Sequence, residues 1–219
     1  MSMLIIAPHP DDETLGMGGT ILKSIETGEK VYWLIVTDVK EEYGYKSERI
    51  EKRKKEIEKV TQEYKFEKVF NLGLEPANLE KYQDGEIIDK FSSIIKQVKP
   101  ATVVLPYNYD VHSDHRKVFN CAYSCTKVFR YPFIKKILCM EILSETNFCE
   151  SDNIFKPNYY IDITNQIHKK KEIMKIYESE IKEHPFPRSL EGIDSLGKIR
   201  GIEAGCRYAE AFRIIKMIE

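Results

Sequence analysis

No apolar run in this 219-residue chain approaches the roughly 20 residues that a bilayer-spanning helix needs. The short apolar stretch at its start has no basic segment before it. Both absences argue against export and against a membrane role, and they predict a cytoplasmic protein. Charge of either sign is not in excess, since 34 Lys and Arg stand against 35 Asp and Glu. A balance so close to neutral gives no electrostatic footing for nucleic acid or a membrane surface as partner, and no polyanionic substrate is expected. Cysteine is sparse: five residues without the close pairing of a disulfide framework, as expected of reduced thiols. Cys121 and Cys125 lie four apart on one face of an expected helix. They read as a soft metal site or, preferably, as two buried core thiols. Repeats, low-complexity tracts and linkers are also missing, so a single domain over 1–219 is expected, with a homo-oligomer compatible.

What is present alternates. Residues 4–7 and 31–36 are short apolar runs that read as buried parallel strands, and 14–26 between them has helical spacing before Gly28. Helices are expected over 46–64, 87–98, 115–129 and 167–183, and strands over 69–72, 102–105, 137–143 and 159–162. The Pro-rich stretch 184–188 reads as a loop. Strand–helix alternation predicts an α/β fold, a three-layer α/β/α Rossmann-like sandwich around a mainly parallel sheet. In such sheets ligands bind beyond the C-terminal ends of strands.

Two clusters fall at such ends. His9-Pro10-Asp11-Asp12-Glu13 follows the first strand, and Asp110-Val111-His112-Ser113-Asp114-His115 follows the fourth. Several carboxylates in one turn repel each other, and a divalent cation is the simplest way to stabilise them. Imidazole with carboxylate, three ligands and one open position, is the composition of a catalytic zinc site, so His9, Asp12 and His115 are the expected ligands of one Zn2+ per chain. Asp11 is then free to act as general base, His112 to stabilise an oxyanion and protonate a leaving amine, and Asp114 to fix an imidazole tautomer.

Simpler readings exist for each feature. Asp11, Asp12 and Thr14 would cap a helix, but one acid suffices for that, and Glu13 alone is explained by the helix dipole. His168 and His184 lack acidic neighbours and read as structural or solvated, while Trp33 reads as core. Gly16, Gly18 and Gly19 after a strand invite a dinucleotide-binding reading. The third glycine that fingerprint needs is Ile21, so these glycines read instead as close-packing positions.

Ala7-Pro8-His9-Pro10-Asp11-Asp12-Glu13 with His112-Ser113-Asp114-His115 resembles the paired signature of the LmbE/PIG-L-like deacetylase family. Arg53 to Glu56 resembles its R-x-x-E helix, Ser144-Glu145-Thr146 its S-E-T turn, and Arg200-Gly201 through Tyr208-Ala209-Glu210-Ala211-Phe212 its C-terminal segment. The resemblance implies a Rossmann-like fold and zinc-dependent removal of an N-acetyl group from a small glucosamine-type sugar. It implies the same ligands, with Asp11 as base and His112 as acid or oxyanion partner. Members in the mycothiol pathway carry tyrosine two residues before the first histidine of the second cluster, where this chain has Asp110. Tyr107 and Tyr109 are the neighbouring tyrosines left to fill that space. Arg53, Tyr107 and Asp110 are the expected substrate contacts, with specificity set by loops 41–49, 147–155 and 185–191. Two alternatives share these residues: an amidase acting on a thiol conjugate or other N-acyl compound, and a binding protein for a sugar or nucleotide without catalysis.

Overall fold

Ser2–Ala7 (β1) and Lys30–Thr37 (β2) pair in parallel, with Ile5 opposite Trp33. Their apolar residues are buried on both faces, as continuous rather than alternating runs require. In the computed structural model, which describes residues 2–219, these two strands begin a seven-stranded sheet of order β3-β2-β1-β4-β5-β7-β6. The others are Lys68–Leu74 (β3), Thr102–Leu105 (β4), Lys136–Met140 (β5), Tyr159–Asp162 (β6) and Ala209–Met217 (β7). Neighbours from β3 through β5 are parallel, and β7 runs antiparallel to both β5 and β6.

Side chains of β1 alternate between two cores. Ile5 and Ala7 join Trp33, Val60, Tyr64, Met140 and Ile173 on the side of the helices Asp12–Glu26 (α1), Ser47–Tyr64 (α2) and Ile167–Met174 (α5). Leu4 and Ile6 join Leu34, Phe91, Ile95, Val118 and Ala122 beneath Asp84–Val98 (α3) and Ser113–Ser124 (α4). This is the expected three-layer sandwich. The chain winds outward from β1 to β3, then returns to β4 on the other side of β1. The turns after β1 and β4 therefore flank the switch point, the crevice where open α/β sheets bind ligands. Cys121 and Cys125 are buried in the second core, as the favoured reading had them. No helix among the described residues is long and apolar enough to cross a membrane.

Three elements end earlier than expected. The helix expected to reach 129 stops at Ser124, where Thr126 turns back and donates its hydroxyl to the Tyr123 carbonyl at 2.7 Å. The helix expected to reach 183 stops at Met174, because Tyr177, Ser179 and Glu180 fold inward toward the first cluster. The strand expected over 137–143 ends at Met140. Leu190–Ala204 (α6) and β7 were not anticipated as elements.

Helix α1 breaks at Met17 (φ −155°), which deprives the amides after the break of regular partners. Gly19 N and Thr20 N donate instead to the Glu210 carboxylate at 2.9 and 2.7 Å, and Lys170 Nζ neutralises it at 2.6 Å. A Cβ at Gly19 would lie 2.7 Å from Ile163 Cβ. Gly19→Ala should therefore lower stability in urea unfolding by about 1–2 kcal/mol, overpacking outweighing the better helix propensity of alanine.

Candidate metal centre and active site

The turn after β1 is tied down at every residue. Thr37 donates both its amide and its hydroxyl to the Pro8 carbonyl, at 3.0 and 2.9 Å. Arg53 Nη1 donates to the Pro10 carbonyl at 2.8 Å, and Asp11 N donates to Glu13 Oε2 at 3.1 Å. Asp11 itself has φ 132°, a conformation that costs a non-glycine residue of order 1–3 kcal/mol. The surrounding bonds hold it there, with its carboxyl lining the cleft. Glu13 faces inward: fully buried, it accepts from Tyr177 Oη at 2.8 Å and Thr14 Oγ1 at 2.6 Å, and burial pushes its carboxyl up to about 7. It braces the turn from beneath.

The two clusters converge. His115 Nε2 lies 3.3 Å from His9 Nδ1 and 3.4 Å from Asp12 Oδ2, and the third edge, His9 Nδ1 to Asp12 Oδ2, is 3.5 Å. A tetrahedral ion with ligands at about 2.0–2.1 Å has ligand–ligand edges of about 3.3–3.4 Å, so the triangle fits zinc. Proton bookkeeping agrees. Asp114, fully buried, accepts from the amides of Ala77 (2.7 Å) and Leu79 (3.2 Å), so it is an acceptor toward His9 Nε2 at 3.0 Å. His9 Nδ1 is then left as a lone pair. Asp110 accepts likewise from His115 Nδ1 at 2.8 Å, which leaves His115 Nε2 a lone pair. Two lone pairs and a carboxylate oxygen facing one point demand positive charge.

The titration behaviour expresses the same demand. Burial opposes the charged form of His9, yet the bonds to Asp114 and Asp12 prevail and push it up to about 9. Burial opposes charge on His115 too, and Asp12 and Asp110 overcome it. Burial would raise Asp12, but His115 and His9 hold it far below the usual carboxylate range. Asp11 goes the other way: burial, then the charges of Asp12 and Glu180, raise it well above its ordinary value. Two adjacent carboxyls are thus driven apart, one a fixed anion and the other able to carry a proton.

His112 caps α4, and its Nδ1 accepts from Asp114 N at 3.1 Å. Its hydrogen therefore sits on Nε2. Burial and the positive charge of His9 and His115 hold it down to about 4, so the neutral ring predominates near pH 7.

Arg53 lines the cleft, but most of its donors are committed to protein. Besides Pro10 it bonds Ser179 Oγ (3.3 Å) and the Glu180 carboxylate, and its Nε forms an ion pair at 3.4 Å with Glu56, whose carboxylate makes no hydrogen bond among the described residues. Arg53→Ala should cost about 3–5 kcal/mol in urea unfolding, because buried acids lose their counter-charge. Arg53→Lys should recover only part of this, since one ammonium cannot span all these acceptors.

Two expected substrate contacts lie elsewhere. Tyr107 is buried, its hydroxyl donating to the Asn153 carbonyl at 3.1 Å, and it packs on Phe155 outside the cleft. Asp110 is fully buried between His115 and Thr146, supporting a histidine rather than facing a ligand. Tyr109 is exposed and does not line the cleft. The cleft has a volume of ≈ 230 Å³, and Glu145, Glu180 and Arg188 line it along with Asp38 and Ala77. Arg188 reaches Ser144 Oγ at 3.1 Å and the Glu180 carbonyl at 3.2 Å. The S-E-T resemblance pointed at Glu145 and the expected specificity loop 185–191 contains Arg188, whereas nothing in the sequence marked Glu180, the one of these three that sequence reasoning missed. His184 is exposed and does not line the cleft, and His168 is exposed on α5.

A family model described as PIG-L, GlcNAc-PI de-N-acetylase, matches residues 4–126. Over 222 residues the chain is 23% identical to diacetylchitobiose deacetylase of Thermococcus kodakarensis, covering 97% of this chain and 82% of that protein. It is similar to the solved structure of N,N′-diacetylchitobiose deacetylase from Pyrococcus horikoshii complexed with its inhibitor MPG, at 25% identity and TM-score 0.75, over 98% of this chain and 84% of that one. A conserved protein of Thermus thermophilus shares the fold at TM-score 0.80 and 22% identity, over 99% and 96% of the two chains.

Proposed function

On the premise that the chain belongs to the PIG-L family of GlcNAc-PI de-N-acetylases, we propose that its 219 residues act as one metal-dependent N-deacetylase domain, removing acetyl from the nitrogen of a small glucosamine-type sugar. The observation that carries this reading is the triangle of His9 Nδ1, Asp12 Oδ2 and His115 Nε2 with Asp11 beside it. Those three residues would hold the ion, and their mixed imidazole–carboxylate set suits zinc. A metal there supplies Lewis acidity, polarising a carbonyl and making a water acidic near neutral pH.

The protein's own groups do the rest. Asp11 takes a proton from the attacking water, which its raised affinity for protons favours, and returns it to the departing amine nitrogen. His112 donates its Nε2–H to the developing oxyanion as a neutral ring, because its Nδ1 is engaged by Asp114 N. This modifies the expectation that a protonated His112 would also serve the amine. Asp114 and Asp110 orient His9 and His115, and Arg53 holds the Pro10 carbonyl, and with it the strained Asp11, in place. The cleft is sized for about one sugar ring, and the diacetylchitobiose deacetylases among the relatives support such a substrate.

The test is amine release from N-acetylglucosamine, N,N′-diacetylchitobiose and N-acetylated thiol conjugates, with zinc or another divalent metal supplied. Release from the sugars is the expected result. Release from the thiol conjugates alone would move the substrate class, and no release from any, with metal bound, would leave only a binding function.

A further inference from the structure

Thr146 sits on the turn after β5, 1% exposed, and makes two hydrogen bonds through one oxygen. Its Oγ1 accepts from Ile142 N at 2.9 Å and lies 2.7 Å from Asp110 Oδ1. A backbone amide is only a donor, so the lone pair of Thr146 is used there and its single hydrogen points at Asp110. The other Asp110 oxygen, Oδ2, accepts from His115 Nδ1 at 2.8 Å. A carboxylate held at one oxygen by a fixed donor cannot rotate away from the imidazole at the other. The direction of every proton in this chain follows from the Ile142 amide, and it ends with a bare lone pair on His115 Nε2.

We propose that Thr146 is a positioning residue for the metal centre: by donating to Asp110 it keeps that carboxylate aligned on His115 Nδ1 and so keeps His115 Nε2 presented to the ion. The inference rests on the metal reading above. It assigns a physical task to the last residue of the S-E-T turn, which is neither one of the three candidate ligands nor part of the cleft lining. The nearest counterpart on the other ligand is built from backbone, where the amides of Ala77 and Leu79 hold Asp114. His115 depends for the same service on one hydroxyl.

The test is zinc affinity, by competition with a chromophoric chelator, for the full chain and for Thr146→Val, Thr146→Ser and Thr146→Ala, with melting of the metal-free proteins as a check on folding. Thr146→Val should bind zinc about 10–100-fold more weakly, the usual effect of removing a partner of a metal ligand, and Thr146→Ser should match the unmodified protein. If the valine variant does not fold, the alanine variant, which introduces no new bulk, carries the same expectation. In a background of Asp110→Ala the Thr146 substitution should have no further effect on affinity, because its route is gone. A folded Thr146→Val or Thr146→Ala protein with unchanged affinity overturns the proposal, as does an equal loss in the Asp110→Ala background. An unmodified protein that takes up no zinc overturns the metal reading and this proposal together, which is a different result from unaltered binding in the variants.

Discussion

Asp11→Asn should retain its metal and lose turnover by about 10²–10⁴-fold, the range contributed by a positioned general base. The substitution is nearly isosteric, and the backbone bonds of residue 11 to Glu13, Thr14 and Leu15 do not involve its side chain. Since Asp11 is outside the ligand triangle, metal content by elemental analysis should be unchanged. The loss should fall on kcat rather than KM, because an amide cannot accept the proton yet fills the same volume. Turnover within a few-fold of the unmodified enzyme would sink the base assignment and point to another carboxylate lining the cleft, Asp38, Glu145 or Glu180.

A second substitution separates chemistry from metal. In His9→Ala both should go: the ion loses one of three ligands, and if each supplies about a third of the ~10–16 kcal/mol typical of zinc sites, affinity falls on the order of 10³-fold. His9 is the ligand to choose because its removal is gentle on the fold. Its side chain is 21% exposed, and Asp114 keeps its two backbone donors when the ring is gone. Removing His115 would instead strand the fully buried Asp110. Chelator titration measures the loss of metal, amine release measures the loss of turnover, and melting of the metal-free protein checks the fold. A His9→Ala protein that binds zinc normally would mean that the ion is held by some other set of atoms.

Much of this was readable from residues alone, for a physical reason. Crowded charge is a local property, so His9 to Glu13 and Asp110 to His115 stand out in the sequence, and buried parallel strands announce themselves as unbroken apolar runs. The switch-point rule then says where such runs deliver their following turns. What the sequence does not carry is the direction a side chain takes after the fold closes. Asp110 and Asp114 look alike in the chain, and only the structure shows each turned onto the far nitrogen of a different histidine. Arg53 on a highly charged helix gives no sign that its guanidinium is consumed by Pro10, Ser179, Glu56 and Glu180. Residues 175–183 have helical composition but leave the helix because tertiary bonds to Glu13 and Arg53 outweigh local propensity, which is where sequence periodicity fails.

The antiparallel β7 fills an interior slot of the sheet, between β5 and β6, although it comes after both in the chain. During synthesis β6 therefore waits, its edge unsatisfied, until residues 209–217 have emerged, and the break in α1 waits with it for Glu210. Nascent chains halted before residue 209 should be held open and readily cut by protease, and the whole sheet should become protected in one step once that last strand threads into place.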